Sequence, residues 1–153
     1  MYVILFLVLV FIDQFTKYLA IANIKGKEEI VIIEKWLHLT YVENSGAAFG
    51  IFQNATILFT VLTIIIVFGI MWYMLKESNN VGIFFKLPLV MIMAGAIGNL
   101  IDRIRLGYVV DFIHSPLGGI YNFPVFNFAD IYVTCSAIFL IIYLLFNEKK
   151  NVK

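Results

Sequence analysis

Two aspartates embedded in apolar sequence are the residues of this chain best suited to chemistry. Asp111 follows two valines and precedes a phenylalanine, and Asp130 lies nineteen residues later, after Asn-Phe-Ala. A single charged carboxylate is costly in such surroundings, whereas two neighbouring carboxyls can share one proton and so supply a base and an acid together. Such a pair is suited to activating water against a peptide carbonyl. The spacing leaves two alternatives open: Asp130 as a helix N-cap, and Asp111 in an ion pair with Arg103 or Arg105.

A second ionisable pair lies within the first apolar stretch. Asp13 and Lys17 are four residues apart, so they lie on one face of a helix and can form an ion pair. Charged residues inside a membrane span usually face the bundle interior and often mark function. The alternative is a structural pair that ties this helix to its neighbours.

The stretch from Asn44 to Phe49, Asn-Ser-Gly-Ala-Ala-Phe, combines an amide side chain with small residues. Gly46 and the two alanines allow another backbone or a ligand to approach closely, and Asn44 can donate to and accept from an extended peptide. The motif therefore predicts a binding segment, with Asn44 as a helix cap as the alternative.

A further motif runs from Ala94 to Arg103. Ala94 and Gly98 form a small-xxx-small face, which favours close helix packing. Asn99, Asp102 and Arg103 are spaced to lie on one helical face where the helix meets the membrane interface. Taken alone, the motif predicts a packing seam closed by an Asp–Arg network.

The remaining candidates do not have the spacing that other chemistries need. His38 and His114 match no metal-binding motif, so no metal or cofactor is predicted and each is interpreted as an interfacial histidine. Ser45 has no evident histidine partner and Cys135 has no base beside it, which argues against a nucleophilic triad.

The composition indicates which solvent surrounds these residues. Hydrophobic residues make up 62% of the 153 residues and charged residues 14%, against roughly 45–50% and about 25% in soluble domains. A chain of this size cannot hide so much apolar surface from water. We therefore predict an integral membrane protein with lipid as a partner, and the net charge of +1 gives no footprint for nucleic acid.

Four apolar windows are long enough to cross a bilayer. They cover residues 2–22, 55–75, 81–101 and 128–146, and the intervening loops 23–54 and 102–127 contain short alternating stretches typical of strands. The predicted fold is an all-α integral membrane protein of one membrane-embedded domain, with a small β-structure built from the loops after helices 1 and 3. A cleaved signal peptide is disfavoured, because Asp13 interrupts the first window and no basic segment precedes it.

The positions of the acidic residues indicate one functional end of the bundle. All four aspartates lie in or beside apolar sequence, whereas the six glutamates lie in loops and the tail. With four spans, both termini lie on one side, and the lysines of the tail and of the turn after span 2 favour the cytoplasm. Lys25, Lys27 and Lys35 in the first loop count against this orientation. The polar motifs share the opposite membrane face in an up-down-up-down bundle.

The motifs, in this order, resemble those of the bacterial lipoprotein signal peptidase family, signal peptidase II. The matching stretches are Asp13-Gln-Phe-Thr-Lys17, Asn44-Ser-Gly-Ala-Ala-Phe49, Gly95-Ala-Ile-Gly-Asn-Leu-Ile-Asp-Arg103, Val109-Val-Asp-Phe112 and Phe126-Asn-Phe-Ala-Asp130. The resemblance extends from span 1 to span 4.

The resemblance implies an aspartic endopeptidase of the bacterial plasma membrane that cleaves diacylglyceryl-modified prolipoproteins before the lipid-bearing cysteine. It implies cytoplasmic termini and an active site near the outer surface, with Asp111 and Asp130 as the catalytic pair. The residues implied to line, brace or support the site are Asn44, Gly46, Asn99, Asp102, Arg103, Asn127, Asp13 and Lys17.

The expected partners are prolipoprotein substrates and membrane lipid, and the protein is expected to be monomeric. The alternative function is a small four-span proton-coupled transporter that uses Asp13, although its two long loops would then have no purpose. A structural membrane subunit is the third possibility, for which the aspartate pair would be incidental.

Overall fold

The computed structural model describes residues 1–46, 56–77 and 81–151, with the side chains of 147–151 excepted. Within these ranges the chain forms four long helices: α1 (Tyr2–Asn23), α2 (Thr56–Lys76), α3 (Ile83–Leu106) and α4 (Phe128–Asn151). Four strands form one antiparallel sheet: β1 (Ile30–Ile33), β2 (Leu37–Asn44), β3 (Val109–Ser115) and β4 (Phe123–Phe126). A short 3-10 turn, Leu117–Gly119, joins the last two strands.

The four helices are long and apolar enough to cross a membrane, and most of their apolar side chains face outward. In α2, no described residue is buried, which is the arrangement expected when lipid rather than water surrounds the helix. The sheet is built from the segments after α1 and α3. The predicted fold class, a four-helix membrane protein with a small β-structure, is confirmed.

Helix α3 is the centre of the bundle and packs against α1, α2 and α4. Two glycines allow this packing: a Cβ at Gly95 would lie 2.4 Å from the carbonyl oxygen of Ala129, and one at Gly98 would lie 2.3 Å from Oδ2 of Asp13. The helix continues past the predicted end at residue 101 and terminates at Gly107, which has a φ of 83°. It can include Asp102 because this side chain is paired inside the bundle.

A methyl group added at Gly98 should therefore destabilise the bundle. We expect Gly98→Ala to lower the free energy of unfolding by about 1–3 kcal/mol, because the buried Asp13 carboxylate must move to accommodate it. Gly69→Ala is the matched control, since a Cβ at Gly69 in α2 meets no atom within 4 Å. Thermal unfolding in detergent measures both variants, and equal melting temperatures would contradict the packing argument.

Strand β3 separates two environments. Val110 and Phe112 on one face pack against Ala20 and Ile24 of α1, so Asp111 between them points to the opposite face. The β2–β3 register contains a bulge, because Leu39 pairs with Ile113 but Val42 pairs with Asp111. One face of β3 thus packs the sheet against α1, and the opposite face carries the Asp111 carboxylate.

Candidate active site

Asp111 and Asp130 are both bound by one residue, Asn127. Its amide nitrogen donates a 2.6 Å hydrogen bond to Oδ1 of Asp111, while its backbone N–H donates to Oδ2 of Asp130 at 3.1 Å. Asn127 is fully buried and Asp111 is nearly so. The two carboxyls predicted to form a pair therefore flank a common residue.

The start of α4 explains why Asp130 is held so firmly. Oδ1 of Asn127 accepts a hydrogen bond from the backbone N–H of Asp130 at 3.0 Å, and the Asp130 carboxylate accepts one from Asn127 in return. This reciprocal arrangement is that of a capping box. The alternative of Asp130 as the N-cap is therefore wrong: Asn127 is the cap, and Asp130 is the third residue of the helix.

Two further amides complete the contacts of the carboxylates. Nδ2 of Asn44, at the end of β2, donates to Oδ2 of Asp111 at 2.9 Å. Nδ2 of Asn99, on α3, donates to Oδ1 of Asp130 at 2.8 Å. Each of the four carboxylate oxygens thus receives an N–H donor, which orients both groups.

Asp111 lies outside the membrane-spanning helices, and its titration is displaced. Burial, followed by the negative charge of Asp130, raises the pKa of the Asp111 carboxyl to about 7. The hydrogen bonds from Asn44 and Asn127 act in the opposite direction. The Asp111 carboxyl therefore retains its proton to a much higher pH than an ordinary aspartate does.

A buried ionic network lies behind the pair. Nζ of Lys17 is 3.0 Å from Oδ2 of Asp13 and 2.9 Å from Oδ2 of Asp102, and it donates to Oδ1 of Asn99 at 2.8 Å. Asp13 and Lys17 thus form the predicted pair, with 0% and 2% of their surfaces exposed. Through Asn99, the ammonium group is connected to the Asp130 carboxylate.

The same network holds separate parts of the chain in register. Oδ1 of Asp13 accepts from the backbone N–H of Ala129 at 3.0 Å, which joins α1 to the start of α4. Oδ2 of Asp102 accepts from the N–H of Val110 at 3.1 Å, which joins α3 to β3. Both aspartates therefore position the backbone next to a carboxylate of the candidate pair.

The predicted Asp–Arg network at the end of α3 is wrong, because Asp102 pairs with Lys17 instead. The Arg103 guanidinium lies over the ring of Phe59 in α2, 5.7 Å from its centroid, and lines the cavity with the two aspartates. Among the described residues no ion pair joins Asp111 to Arg103 or Arg105, which removes that alternative.

Asn44 is the last residue of β2. The residues between Gly46 and Thr56, where a helix capped by Asn44 would begin, lie outside the described residues, so the helix-cap alternative stays a prediction. Oδ1 of Asn44 accepts from the N–H of Gly46 at 3.0 Å while its Nδ2 donates to Asp111. Both ends of the amide are therefore engaged, and its orientation is defined. Ala47, Ala48 and Phe49 of the same motif lie outside the described residues.

A cavity of about 640 Å³ lies in front of the two aspartates. Its lining is mostly apolar; the ends of β2 and β3 contribute near the aspartates, and the other walls come from α2, α3, α4 and the edge strand β4. Residues on these four walls include Thr63, Ile66, Ile92, Ala96, Ile131, Thr134, Cys135 and Phe123–Phe126. The cavity is therefore suited to an apolar ligand that reaches two carboxyl groups at one end.

Gln14 is a polar residue of the buried ionic network that was not predicted from the sequence. Its Nε2 donates to the carbonyl oxygen of Gly98 and to Oδ1 of Asp102, both at 3.0 Å, and to Oδ2 of Asp13 at 3.3 Å. Its position beside Asp13, as a polar residue in an apolar span, is the signal that identifies it. Cys135 lines the cavity, whereas His38 and His114 lie together elsewhere on the sheet.

Four apolar helices joined to a small sheet, with a polar site where they meet, define a multi-pass membrane protein. The chain belongs to the signal peptidase II family, since the family model for Signal peptidase (SPase) II matches residues 5–146. Family membership decides against the transporter and structural-subunit alternatives.

Individual relatives support this assignment. The lipoprotein signal peptidase of Caldanaerobacter subterraneus subsp. tengcongensis is 48% identical over 132 residues, which cover 86% of each chain. That of Clostridioides difficile is 41% identical and covers 99% of each chain. A solved bacterial membrane enzyme structure, obtained by the in meso method at 2.3 Å resolution, has a TM-score of 0.86 at 35% identity, covering 99% of this chain and 91% of that one.

Proposed function

We propose that this protein is an aspartic endopeptidase that removes the signal peptide from diacylglyceryl-modified prolipoproteins, cutting before the lipidated cysteine. The observation that carries the proposal is the pair of carboxyls, Asp111 and Asp130, held by Asn127 at one end of an apolar cavity. The names of the relatives support the substrate class.

The mechanism follows from the different environments of the two aspartates. Asp111 holds a proton readily, because its pKa is raised to about 7. Asp130 lies in the first turn of α4, where Asn99 and the backbone N–H of Asn127 donate hydrogen bonds to its carboxylate. In the proposed ground state, Asp130 is therefore the base and Asp111 the acid.

Hydrolysis then needs no covalent intermediate. Asp130 takes a proton from a water molecule, the water oxygen attacks the scissile carbonyl carbon, and Asp111 donates its proton to the carbonyl oxygen. When the tetrahedral intermediate collapses, the C–N bond breaks and the leaving nitrogen receives a proton from Asp130. Asp111 recovers its proton from the hydroxyl, so the pair returns to its initial state.

The walls of the cavity support access from within the membrane. Helix α2 packs chiefly against α3, and the cavity extends between Thr63 and Ile66 of α2 and Thr134 of α4. A signal helix too apolar to leave the bilayer would enter laterally between these helices. Strand β4 forms one edge of the sheet and lines the cavity, which suits pairing with an extended substrate.

The proposed orientation has both termini in the cytoplasm and the aspartate pair near the outer surface of the plasma membrane. Lys76 at the end of α2 and the lysines of the tail support this orientation by the positive-inside rule. The sheet and the aspartates lie at the opposite ends of the helices, where a lipid-anchored cleavage point would lie.

The function is tested with purified protein in lipid bilayers and a synthetic prolipoprotein segment. We expect release of the signal peptide with a new amino terminus at the lipidated cysteine, measured by mass spectrometry. An otherwise identical segment without the diacylglyceryl group is the control and should remain uncut. Equal cleavage of both segments would contradict the substrate assignment, and absence of cleavage would contradict the proposed activity.

The raised pKa of Asp111 predicts how cleavage depends on pH. Below pH 7 this group is protonated and able to act as the acid, whereas above pH 7 the proton is lost. We therefore expect kcat/KM to decrease above about pH 7, by about tenfold for each further pH unit. Rates measured from pH 5 to pH 9 on one substrate provide the test, and a rate that rises throughout this range would exclude Asp111 as the acid.

A further inference from the structure

Outside the candidate active site, Glu29, His38 and His114 bring three side chains with metal-ligating atoms together. One ligand atom from each lies within 4.8 Å of the other two. Oε1 of Glu29 contacts Nδ1 of His38 directly and lies 3.4 Å from Nδ1 of His114. These are the only two histidines of the chain, and the fold places them side by side.

The sheet register explains this convergence. His38 of β2 pairs directly with His114 of β3, so the two side chains project from the same face of the sheet. Their rings lie at right angles, with centroids 5.7 Å apart. Glu29 immediately precedes β1, whose Val31 pairs with His38 on the other side.

This cluster is separate from the aspartate pair. His114 and Asp111 are three residues apart on β3, so their side chains point to opposite faces of the strand. None of the three side chains lines the cavity in front of the aspartates. The cluster therefore has no part in the proposed hydrolysis.

We propose that Glu29, His38 and His114 form a binding site for a divalent transition metal ion, with Zn²⁺ as the best-matched ion. Two imidazoles and one carboxylate suit Zn²⁺, whereas Ca²⁺ and Mg²⁺ require sets of oxygen ligands. In a tetrahedral zinc site, ligand atoms lie about 3.4 Å apart. The His114 nitrogen and the Glu29 oxygen have this separation, whereas the Glu29 oxygen and the His38 nitrogen lie closer and would move apart to bind an ion. A water molecule would complete the coordination on the side facing solvent.

The packing of the three side chains favours a prepared site. The histidine side chains are only 16% and 19% exposed, whereas Glu29 is 35% exposed. Nε2 of His38 is buried without a hydrogen-bond partner among the described residues, so this ring can offer only Nδ1 to an ion. The sheet thus fixes the positions of the two rings, and the more exposed Glu29 carboxylate lies on the side from which an ion can enter from solvent.

A metal ion at this position would cross-link three separate segments of the sheet. Glu29 precedes β1, His38 is the second residue of β2 and His114 lies near the end of β3. Because strand β3 also carries Asp111, binding would stabilise the sheet on which the aspartate depends. The metal role is therefore structural, and its test does not depend on the proposed peptidase activity.

The test is a titration of the full chain, purified with a tag that contains no histidine, with Co²⁺ as a spectroscopic substitute for Zn²⁺. We expect one Co²⁺ per chain, with the visible absorption bands of tetrahedral cobalt, and displacement by Zn²⁺. Zn²⁺ should also raise the melting temperature. Glu29→Gln and His114→Gln should each weaken binding by at least about tenfold.

Two matched variants serve as controls for the binding readout. Glu28→Gln changes the exposed neighbour of Glu29 and should bind as the unaltered chain does. Cys135→Ser removes the single thiol, the other side chain with high affinity for zinc, and should also leave the cobalt spectrum unchanged. Absence of tetrahedral bands, or equal affinity in Glu28→Gln and Glu29→Gln, would overturn the proposal. If the protein binds no metal but still cleaves prolipoprotein normally, the metal proposal fails and the proposed peptidase function is unaffected.

Discussion

Replacing either Asp111 or Asp130 with Asn is expected to reduce the rate of prolipoprotein cleavage by at least about 10²–10⁴-fold, the usual contribution of a general acid or base. Asn has nearly the same size as Asp, but its amide cannot act as a general acid or base at neutral pH. Each variant lacks one partner of the proposed acid–base pair. The remaining aspartate cannot both activate the water and protonate the carbonyl oxygen.

A loss of cleavage in these variants must be distinguished from a loss of folded protein. Both aspartates accept hydrogen bonds from amides, so an Asn at either position has one nitrogen facing a donor. Thermal unfolding of each variant measures this effect. Glu34→Gln, which neutralises an exposed carboxylate in the turn between β1 and β2, is the control for charge and should cleave normally. Full activity in either aspartate variant would refute the proposed mechanism.

Replacing Lys17 with Met is expected to destabilise the protein by about 3–5 kcal/mol, the usual consequence of removing one partner from a buried ion pair. Asp13 and Asp102 would then be left as buried charges without their cation. Because Lys17 also donates to Asn99, which donates to Asp130, the remaining folded protein should cleave more slowly.

The chain provides a matched control for this substitution. Lys25 forms an ion pair of similar length, 2.8 Å, with Glu43, but these side chains are 48% and 43% exposed rather than buried. Exposed pairs contribute little to stability, so Lys25→Met should unfold close to the unaltered protein. A combined variant, with Lys17→Met, Asp13→Asn and Asp102→Asn, should recover part of the lost stability. Equal melting temperatures for Lys17→Met and Lys25→Met would contradict the proposed energetic role of the network.

Several features of the fold could be predicted from the order of residue types along the chain. An apolar helix in lipid must satisfy its backbone internally, so length and hydropathy alone predicted four spanning helices. Asp13 and Lys17 could be paired in advance, since helical periodicity places them on one face. The short strands in the two loops were likewise evident from alternation.

The partners of the polar side chains could not be predicted in the same way. Asp102 and Arg103 are neighbours on α3, yet Asp102 pairs with Lys17 of α1 while Arg103 lies over Phe59 of α2. Adjacent helical residues point about 100° apart, so their partners depend on which helix packs on each side. That arrangement is decided by close contacts such as those at Gly95 and Gly98.

The sequence by itself determined that lipid surrounds this protein and that its four aspartates lie where charge is costly, because composition and periodicity depend only on the chain. The tertiary structure alone decided that Asn127 joins Asp111 to Asp130. It alone also decided that His38 and His114, 76 residues apart, meet at Glu29. Both outcomes depend on strand register and helix packing, which bring together segments that have no fixed spacing along the chain.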